Sequence, residues 1–296
     1  MISSNKYSYL VVNADDYAYF EFVSKGILEA ARNGIVRATG ILANSSFFEE
    51  HIPWLKDTPN LDVGMHLNLT TGHPLSEEMK KSLVQYGSRF PEKFAITRAI
   101  LLGKIKLKSV EAEWRAQIER CLSAGLNISF INSHEHIHML PPLFKLTNKL
   151  ADEYKIPHVR YSMPDFTLNS SVSALFRDSI ISLLGLYDKR YCTNPVTGFF
   201  GMGQSGKLDM EYIKKCIDKM KPGKVYELMC HPGSYNNENI NNSDLLSYHN
   251  WNDELEALTN PSVNKYLSDK NIKLIAYRDL TVEGNQLKVH GLRDIA

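Results

Sequence analysis

Short apolar runs alternate along the chain with segments whose apolar residues recur at helical spacing. The run at 9–12 predicts a buried strand, and residues 23–32, followed by Asn33-Gly34, predict a helix that ends at the glycine. The next elements predicted are a strand, a helix and a strand at 38–43, about 47–55 and 61–66. Strands that alternate with helices favour parallel pairing with right-handed crossovers, so the pattern predicts β/α units.

The rest of the chain continues the same order after one interruption. The further helices and strands predicted are helices at 110–124 and 143–154 and strands at 128–131, 158–161, 225–229 and 272–277. The total is roughly seven or eight β/α units, which is typical of an α/β barrel. Between residues 70 and 108 the pattern loosens into Gly, Pro and charged residues with two short helical stretches, and we predict a lid or substrate loop there.

These elements predict a single barrel domain over residues 1–280, with the insertion at about 70–108. The polar residues 281–296 are expected to form a partly disordered tail. We expect specificity to reside in the insertion and in the connection at 162–195, because long loops above a barrel shape its pocket.

Length and charge narrow the class of protein. The 296 residues suit one barrel, and 34 basic against 33 acidic side chains leave a net charge of +1. Nucleic acid is therefore not an expected partner, since its binding rests mainly on basic residues. No apolar stretch approaches the roughly 20 residues of a membrane helix, and the first apolar run, Leu10-Val11-Val12, is too short for a signal peptide. We predict a cytoplasmic protein without a transmembrane segment.

The four cysteines are scattered and include no C-x-x-C pair. Neither a zinc ribbon nor a disulfide framework is predicted, and we interpret them as reduced packing residues.

Chemically reactive side chains come at or just after the predicted strand ends. They are Asp15, Asp16, His66, His134, Arg160, Glu227 and His231. In an α/β barrel the carboxyl ends of all strands meet at one face, so we expect these residues to lie together.

The adjacent pair Asp15-Asp16 can divide two roles, because neighbouring side chains diverge. One carboxylate can bind a metal while the other faces the water that the metal activates. A helix N-cap or a solvated turn explains this pair about equally well when it is taken alone. His66, taken alone, is more simply a hydrogen-bonded or exposed histidine.

Three histidines within five residues, His134, His136 and His138, form the most specific feature of the sequence. Strand alternation would point all three the same way. An Asp, His, His set of oxygen and nitrogen ligands suits a divalent ion such as zinc and leaves positions for water and substrate. Spacing does not tell which of the three binds the ion; one can be a ligand while the others contact substrate.

A further histidine, His231, ends another apolar strand just before Pro232-Gly233 and could serve as a general acid. A turn histidine is the competing interpretation. Arg160 could orient a carboxylate or a substrate hydroxyl, although a surface salt bridge is the commoner fate of arginine.

Four segments occur in the order found in one known family. They are Asn13-Ala14-Asp15-Asp16-Tyr17, Gly64-Met65-His66-Leu67-Asn68-Leu69-Thr70, Asn132-Ser133-His134-Glu135-His136-Ile137-His138 and Glu227-Leu228-Met229-Cys230-His231-Pro232-Gly233. From about residue 9 to 279 the chain resembles the YdjC-like carbohydrate deacetylases, the group that contains chitooligosaccharide deacetylase. The resemblance implies a distorted (β/α) barrel related to polysaccharide deacetylases, one divalent metal ion, Mg²⁺ or Zn²⁺, and hydrolysis of an acetamido group on a sugar.

Carried over by position, the resemblance implies particular roles. Asp16, His66 and His134 would bind the metal, Asp15 would be the general base and His231 the general acid. Around these five residues, a supporting or substrate-contacting role is expected for Arg160, Glu227, His136 and His138.

The sequence departs from the family pattern at two positions. Ala18 stands where glycine is usual, which affects the turn after the carboxylates. Asn132 stands where aspartate is usual, and the lost charge is one that could orient His134.

We therefore predict a metal-dependent hydrolase that removes an acetyl group from an N-acetylated amino sugar or chitooligosaccharide. The alternatives are a metal-dependent hydrolase of another ester or phosphate bond and a carbohydrate-binding pseudoenzyme. The expected partner is a small carbohydrate, and the sequence is compatible with a homodimer.

Overall fold

A parallel sheet around one long central strand organises the chain. The computed structural model describes residues 6–162, 195–236, 240, 243–283 and 286–290. The strands of this sheet are β1 (Ser8–Tyr17), β2 (Ala38–Ile41), β3 (Asp62–Leu67), β4 (Phe130–Ser133), β5 (His158–Val159), β6 (Gly198–Phe200), β7 (Val225–Cys230) and β8 (Ile272–Leu274). Their order is β5-β4-β3-β2-β1-β7-β6, and β8 pairs with the first residues of β1.

Every pairing within this sheet is parallel. Among the described residues the two end strands, β5 and β6, do not pair with each other, so the sheet is an open half-barrel. The expected distorted (β/α) barrel is confirmed. Because the strands are parallel, their carboxyl ends lie along one edge, and this edge carries the reactive side chains.

Helices connect the strands. They are α1 (Glu21–Asn33), α2 (Phe48–His51), α3 (Glu77–Ser82), α4 (Lys93–Leu101), α5 (Leu107–Ser123), α6 (Pro141–Tyr154), α7 (Met210–Lys219), α8 (Ser243–Tyr248), α9 (Trp251–Thr259) and α10 (Pro261–Asp269). Within the described ranges, none of these helices has the length and apolarity required to cross a membrane.

The central strand β1 is the longest strand of the described sheet, and all ten of its residues are buried. Its first half lies between β7 and β8, and its second half lies between β7 and β2. A strand covered on both faces and both edges reads as a continuous apolar run, which is why Tyr9–Val12 was recognisable in the sequence. Its carboxyl end brings Asp15 and Asp16 to the reactive edge.

The insertion at about 70–108 contains the two short helices α3 and α4, joined by a 3₁₀ turn at Val84–Tyr86. It is tied to helix α5 by the buried Glu113, whose carboxylate accepts the backbone N–H groups of Leu75 and Ser76 at 2.8–3.0 Å. Charge-assisted bonds of this kind fix the start of the insertion against the barrel. Whether the segment acts as a lid stays a prediction.

The predicted polar tail differs in part from the expectation, and the connection at 162–195 lies almost entirely outside the described residues. The start of the segment that the sequence assigns to the polar tail, 281–296, takes part in an antiparallel pair of strands, β9 (Leu280–Glu283) and β10 (Gln286–Val289). The alternation of apolar and polar residues over 280–283 is the strand signal that the tail's overall polarity concealed. The tail from 291 onward and nearly all of the connection at 162–195 lie outside the described residues.

Candidate metal centre and active site

Three buried or half-buried donors converge at the reactive edge. Asp16 Oδ1 lies 3.1 Å from His66 Nε2 and 2.8 Å from His134 Nδ1. The three residues come from the ends of β1 and β3 and from the turn after β4. They form the one group of three or more possible metal ligands found in the described part of the chain.

These separations suit a divalent cation. Two ligand atoms that share one ion at about 2.0–2.2 Å lie about 2.8–3.6 Å apart, for right-angled to tetrahedral coordination. One carboxylate and two imidazoles form a donor set that leaves further positions for water and substrate. The residues present therefore fit the metal ion that the sequence predicts.

The charges within the donor group support each other. Burial alone would raise the pKa of Asp16, but the neighbouring His134 and His66 hold it well below its usual value. Burial likewise opposes the charged form of His134, yet Asp16 raises the pKa of that imidazole above its ordinary value.

Asp15 lies beside the donor group but points to a different set of partners. Its Oδ1 accepts hydrogen bonds from Asn13 Nδ2 at 2.6 Å and from Asn132 Nδ2 at 2.9 Å. Arg160 donates to both oxygens, with Nη1 at 2.6 Å from Oδ2 and Nη2 at 3.0 Å from Oδ1. Burial is the largest single effect and opposes ionisation, but the charge and hydrogen bonds of Arg160, together with smaller contributions from other groups, lower the pKa of Asp15. The carboxylate is therefore fixed in place and ionised, with Oδ2 the less occupied atom.

Arg160 is the charged centre of this side of the site. It has no exposed surface, and its guanidinium also binds Glu227, with Nε 2.7 Å and Nη2 2.6 Å from Oε1. Arg160 thus links two buried carboxylates, Asp15 near the carboxyl end of β1 and Glu227 in β7. Arg160 contacts Asp15 directly, whereas Glu227 contacts Arg160, and the supporting role of both residues stays a prediction.

The three-histidine segment does not continue strand β4. The strand ends at Ser133, and His134–Met139 form a 3₁₀ turn in which Glu135 and His136 have φ near +54° (53° and 55°). The expectation that all three imidazoles point one way is therefore wrong. Strand periodicity was applied beyond the end of the strand, where left-handed residues redirect each side chain.

Each of the three histidines has a different environment. His134 reaches Asp16, whereas His136 Nδ1 lies 3.0 Å from Ser162 Oγ and its ring meets Phe199 edge-on. His138 is fully buried, with Nδ1 2.6 Å from Ser133 Oγ and Nε2 3.0 Å from the Arg160 carbonyl. Burial lowers its pKa to about 3. His138 therefore holds the turn and the Arg160 backbone together and is too buried to touch a substrate.

His231 follows strand β7 and lies at the same edge. Its backbone N–H donates to Glu254 Oε2 at 2.5 Å, and its ring Nδ1 is buried without a hydrogen-bond partner among the described residues. The ring of His249 faces it, with the two centroids 5.2 Å apart. Burial, together with the positive charge of His231, lowers the pKa of His249 to about 3, so this second imidazole is neutral.

Sequence reasoning missed Glu254 and His249. Helical spacing places Glu254 on the apolar face of α9 with Trp251, Leu255 and Leu258, all of them buried. An acidic residue on such a face was the available signal for a buried, hydrogen-bonded carboxylate. His249 belongs to no motif and follows a polar segment, so the sequence offered no comparable signal for it.

The turn after the two carboxylates has a left-handed residue at Ala18, with φ 70°. The Ala18 N–H donates to Ser24 Oγ at 2.9 Å, and the Ser45 hydroxyl donates to the Ala18 carbonyl. Ser24 Oγ in turn lies 2.9 Å from the buried His51 Nδ1. Side chains from α1 and α2 thus hold the turn in a conformation that an L-residue disfavours.

We expect Ala18→Gly to raise the free energy of unfolding by about 0.5–1 kcal/mol, because glycine adopts this φ without strain although it loses more entropy on folding. Ala31→Gly in helix α1 is the matched control and should lower stability by about 1 kcal/mol. Denaturant unfolding of both variants makes the comparison. A loss of stability at both positions would contradict strain at Ala18.

Comparison with known proteins identifies the family and agrees with the fold. The family described as YdjC-like protein matches residues 9–269. A carbohydrate deacetylase of Geobacillus stearothermophilus is 32% identical over 273 residues, which cover 92% of this chain and 97% of that protein. Carbohydrate deacetylase 1 of Listeria innocua is 31% identical over 274 residues, with 92% and 99% covered.

One solved structure is also similar over most of its length. It is a protein of Enterococcus faecalis V583 for which cellobiose-phosphate cleavage has been suggested, with a TM-score of 0.70, 26% identity, and coverage of 92% of this chain and 98% of that one. The fold and the site together define a parallel (β/α) half-barrel with an Asp-His-His donor set at its strand ends. The chain belongs to the YdjC-like protein family.

Proposed function

We propose that this protein is a carbohydrate deacetylase that uses a divalent metal ion to hydrolyse the acetamido group of an N-acetylated amino sugar. The observation that carries the proposal is the convergence of Asp16, His66 and His134 beside a fixed, ionised Asp15. Curated relatives of the family at about 30% identity are named carbohydrate deacetylases, which supports the same reaction class.

The donor set favours zinc over magnesium. Imidazole nitrogens suit Zn²⁺, whereas Mg²⁺ prefers oxygen ligands, and two of the three donors here are histidines. A cation held by Asp16, His66 and His134 supplies a Lewis acid for the amide oxygen and makes a coordinated water more acidic.

Asp15 is the general base of the proposed reaction. Its Oδ2 accepts a single hydrogen bond among those described, from Arg160, and can take the proton of the attacking water. Arg160 holds the carboxylate ionised and aimed, since it grips both oxygens from a fully buried position. The lowered pKa of Asp15 keeps the base form present well below neutral pH, at the expense of base strength.

His231 is the proposed general acid. Its ring lies near enough to Asp15 for its charge to lower the pKa of that carboxyl, and Glu254 fixes its backbone. Protonation of the amide nitrogen by His231 lets the C–N bond break, so one water and one acetamide yield acetate and a free amino sugar.

The test is product release from a panel of N-acetylglucosamine, chitooligosaccharides, an O-acetylated sugar and a phosphorylated disaccharide, with metal-stripped and zinc-restored protein. We expect acetate and free amine in equal amounts, from the restored protein only. Release of acetate from O-acetyl sugars alone, or of phosphate alone, would instead indicate the ester or phosphate hydrolase. Tight sugar binding without any product would indicate a carbohydrate-binding pseudoenzyme.

A further inference from the structure

Asn132 lies between the metal-binding group and the proposed base and contacts both. Its Oδ1 is 2.7 Å from His66 Nδ1, and its Nδ2 is 2.9 Å from Asp15 Oδ1. The side chain has no exposed surface. His66 and Asn132 face each other in the register of β3 and β4, so their side chains share one face of the sheet.

The chemistry of these partners determines how the amide is oriented. Both oxygens of Asp15 accept from the guanidinium of Arg160, which has only donors, and Asn132 Nδ2 lies 2.9 Å from Asp15 Oδ1, so the NH₂ group of Asn132 faces this carboxylate. The amide oxygen then faces His66 Nδ1, and that nitrogen must carry the proton. In the neutral imidazole that binds a metal, the lone pair of His66 is then on Nε2, which is the atom that lies 3.1 Å from Asp16 Oδ1.

The hydrogen-bonded side chains of Asn132 and His66 pack so closely against Gly40 that no side chain fits at position 40. A Cβ atom on Gly40 of strand β2 would lie 2.9 Å from Asn132 Oδ1 and 3.0 Å from His66 Nδ1. A side chain at position 40 would therefore press on both atoms of the hydrogen bond. Glycine here is explained by the close approach of these two polar groups.

We propose that Asn132 is a positioning residue that selects the metal-binding tautomer of His66 and aims Asp15 through the same amide. This inference rests on the proposed function for the role of Asp15, whereas its metal-binding part can be measured without a substrate. It also replaces the expectation that position 132 orients His134, because the amide binds His66 and Asp15 instead.

The test is Zn²⁺ binding to the metal-stripped full chain, measured by calorimetry on variants first shown to be folded. Asn132→Leu removes the acceptor for His66, and we expect its affinity for Zn²⁺ to fall by about 10- to 100-fold. Gly40→Ala disturbs the same hydrogen bond and should weaken Zn²⁺ binding in the same direction. Asn132→Asp keeps an acceptor for His66 and should bind Zn²⁺ at least as tightly as the wild-type protein.

Asn13 provides the matched control, because its amide also donates to Asp15 but has no contact with His66 among its described hydrogen bonds. We expect Asn13→Leu to lower kcat while its affinity for Zn²⁺ changes by less than about 3-fold, below the effect of a lost ligand partner. Asn132→Leu should lower both quantities.

Folded Asn132→Leu that binds Zn²⁺ as tightly as the wild-type protein would overturn the proposal, as would equal loss of Zn²⁺ affinity in Asn132→Asp and Asn132→Leu. If Asn132→Leu does not fold, Gly40→Ala and Asn132→Asp still decide the question. Failure to release acetate from any sugar, with the Zn²⁺ affinities in the expected order, would refute the proposed function and leave the tautomer role of Asn132 intact.

Discussion

The Asp15→Asn variant is expected to lose about 10²- to 10⁴-fold in kcat for acetate release, the usual contribution of a general base. Asparagine keeps an oxygen for Asn13 and Asn132 but cannot take a proton from water. Its Zn²⁺ affinity should be close to that of the wild-type protein, because Asp15 is not part of the donor group. Steady-state kinetics measures kcat, and calorimetry on the same preparation measures the affinity for Zn²⁺.

Asp62→Asn is the matched control for this experiment. Asp62 is a buried aspartate at the start of β3 that accepts from Ser129 Oγ at 2.6 Å and from the Arg278 N–H at 2.9 Å. It lies at the opposite end of its strand from the reactive edge, so its replacement should affect stability and leave kcat unchanged. If Asp15→Asn retained more than a tenth of the wild-type kcat, Asp15 would not be the base.

The second large effect concerns stability. We expect Arg160→Met to lower the free energy of unfolding by about 3–5 kcal/mol, because it leaves Asp15 and Glu227 buried without their shared cation. Kcat should fall as well, since Asp15 loses the group that orients it. Denaturant unfolding, followed at several pH values, measures the effect.

The pH dependence of that loss follows from the pKa of Asp15. In the wild-type protein Arg160 lowers this pKa below 3.8, so the ionised carboxylate contributes stability above that pH and loses it as the pH falls. In Arg160→Met the pKa of Asp15 should rise instead. The stability difference between the two proteins is therefore largest at neutral pH and shrinks toward pH 4.

An exposed ion pair serves as the control for Arg160→Met. Lys215 and Glu211 are 2.7 Å apart on the surface of α7, and Lys215→Met should leave stability unchanged within error. A loss in Arg160→Met no greater than in Lys215→Met would contradict the buried network. A loss that grows toward low pH would contradict the direction assigned to Asp15.

The fold was accessible from the sequence because buried parallel strands read as apolar runs followed by polar clusters. This rule predicts Asp16, His66 and His134 at one edge of the sheet, and the structure brings them together. The turn after Ser133 was not accessible, because two residues other than glycine adopt positive φ there. Residue preferences predict glycine at such positions, so strand alternation was carried too far.

The supporting contacts of the site depend on exact register rather than on residue type. Asn13 reaches Asp15 from two residues earlier in β1, and Asn132 reaches it from β4, with two strands between β4 and β1 in the sheet order. The sequence marked Asn132 as a departure from the family pattern but assigned its influence to His134. Which imidazole an amide contacts is decided by strand pairing, and the pairing of His66 with Asn132 became visible only in the structure.

The most direct test of the central claim is to titrate metal-stripped protein with Zn²⁺ and follow acetate release from an N-acetylated chitooligosaccharide. We predict that activity rises in proportion to added zinc, reaches its maximum at one ion per chain, and is absent in Asp16→Ala at the same zinc concentration. Full acetate release by the metal-free protein, or by Asp16→Ala, would contradict the account.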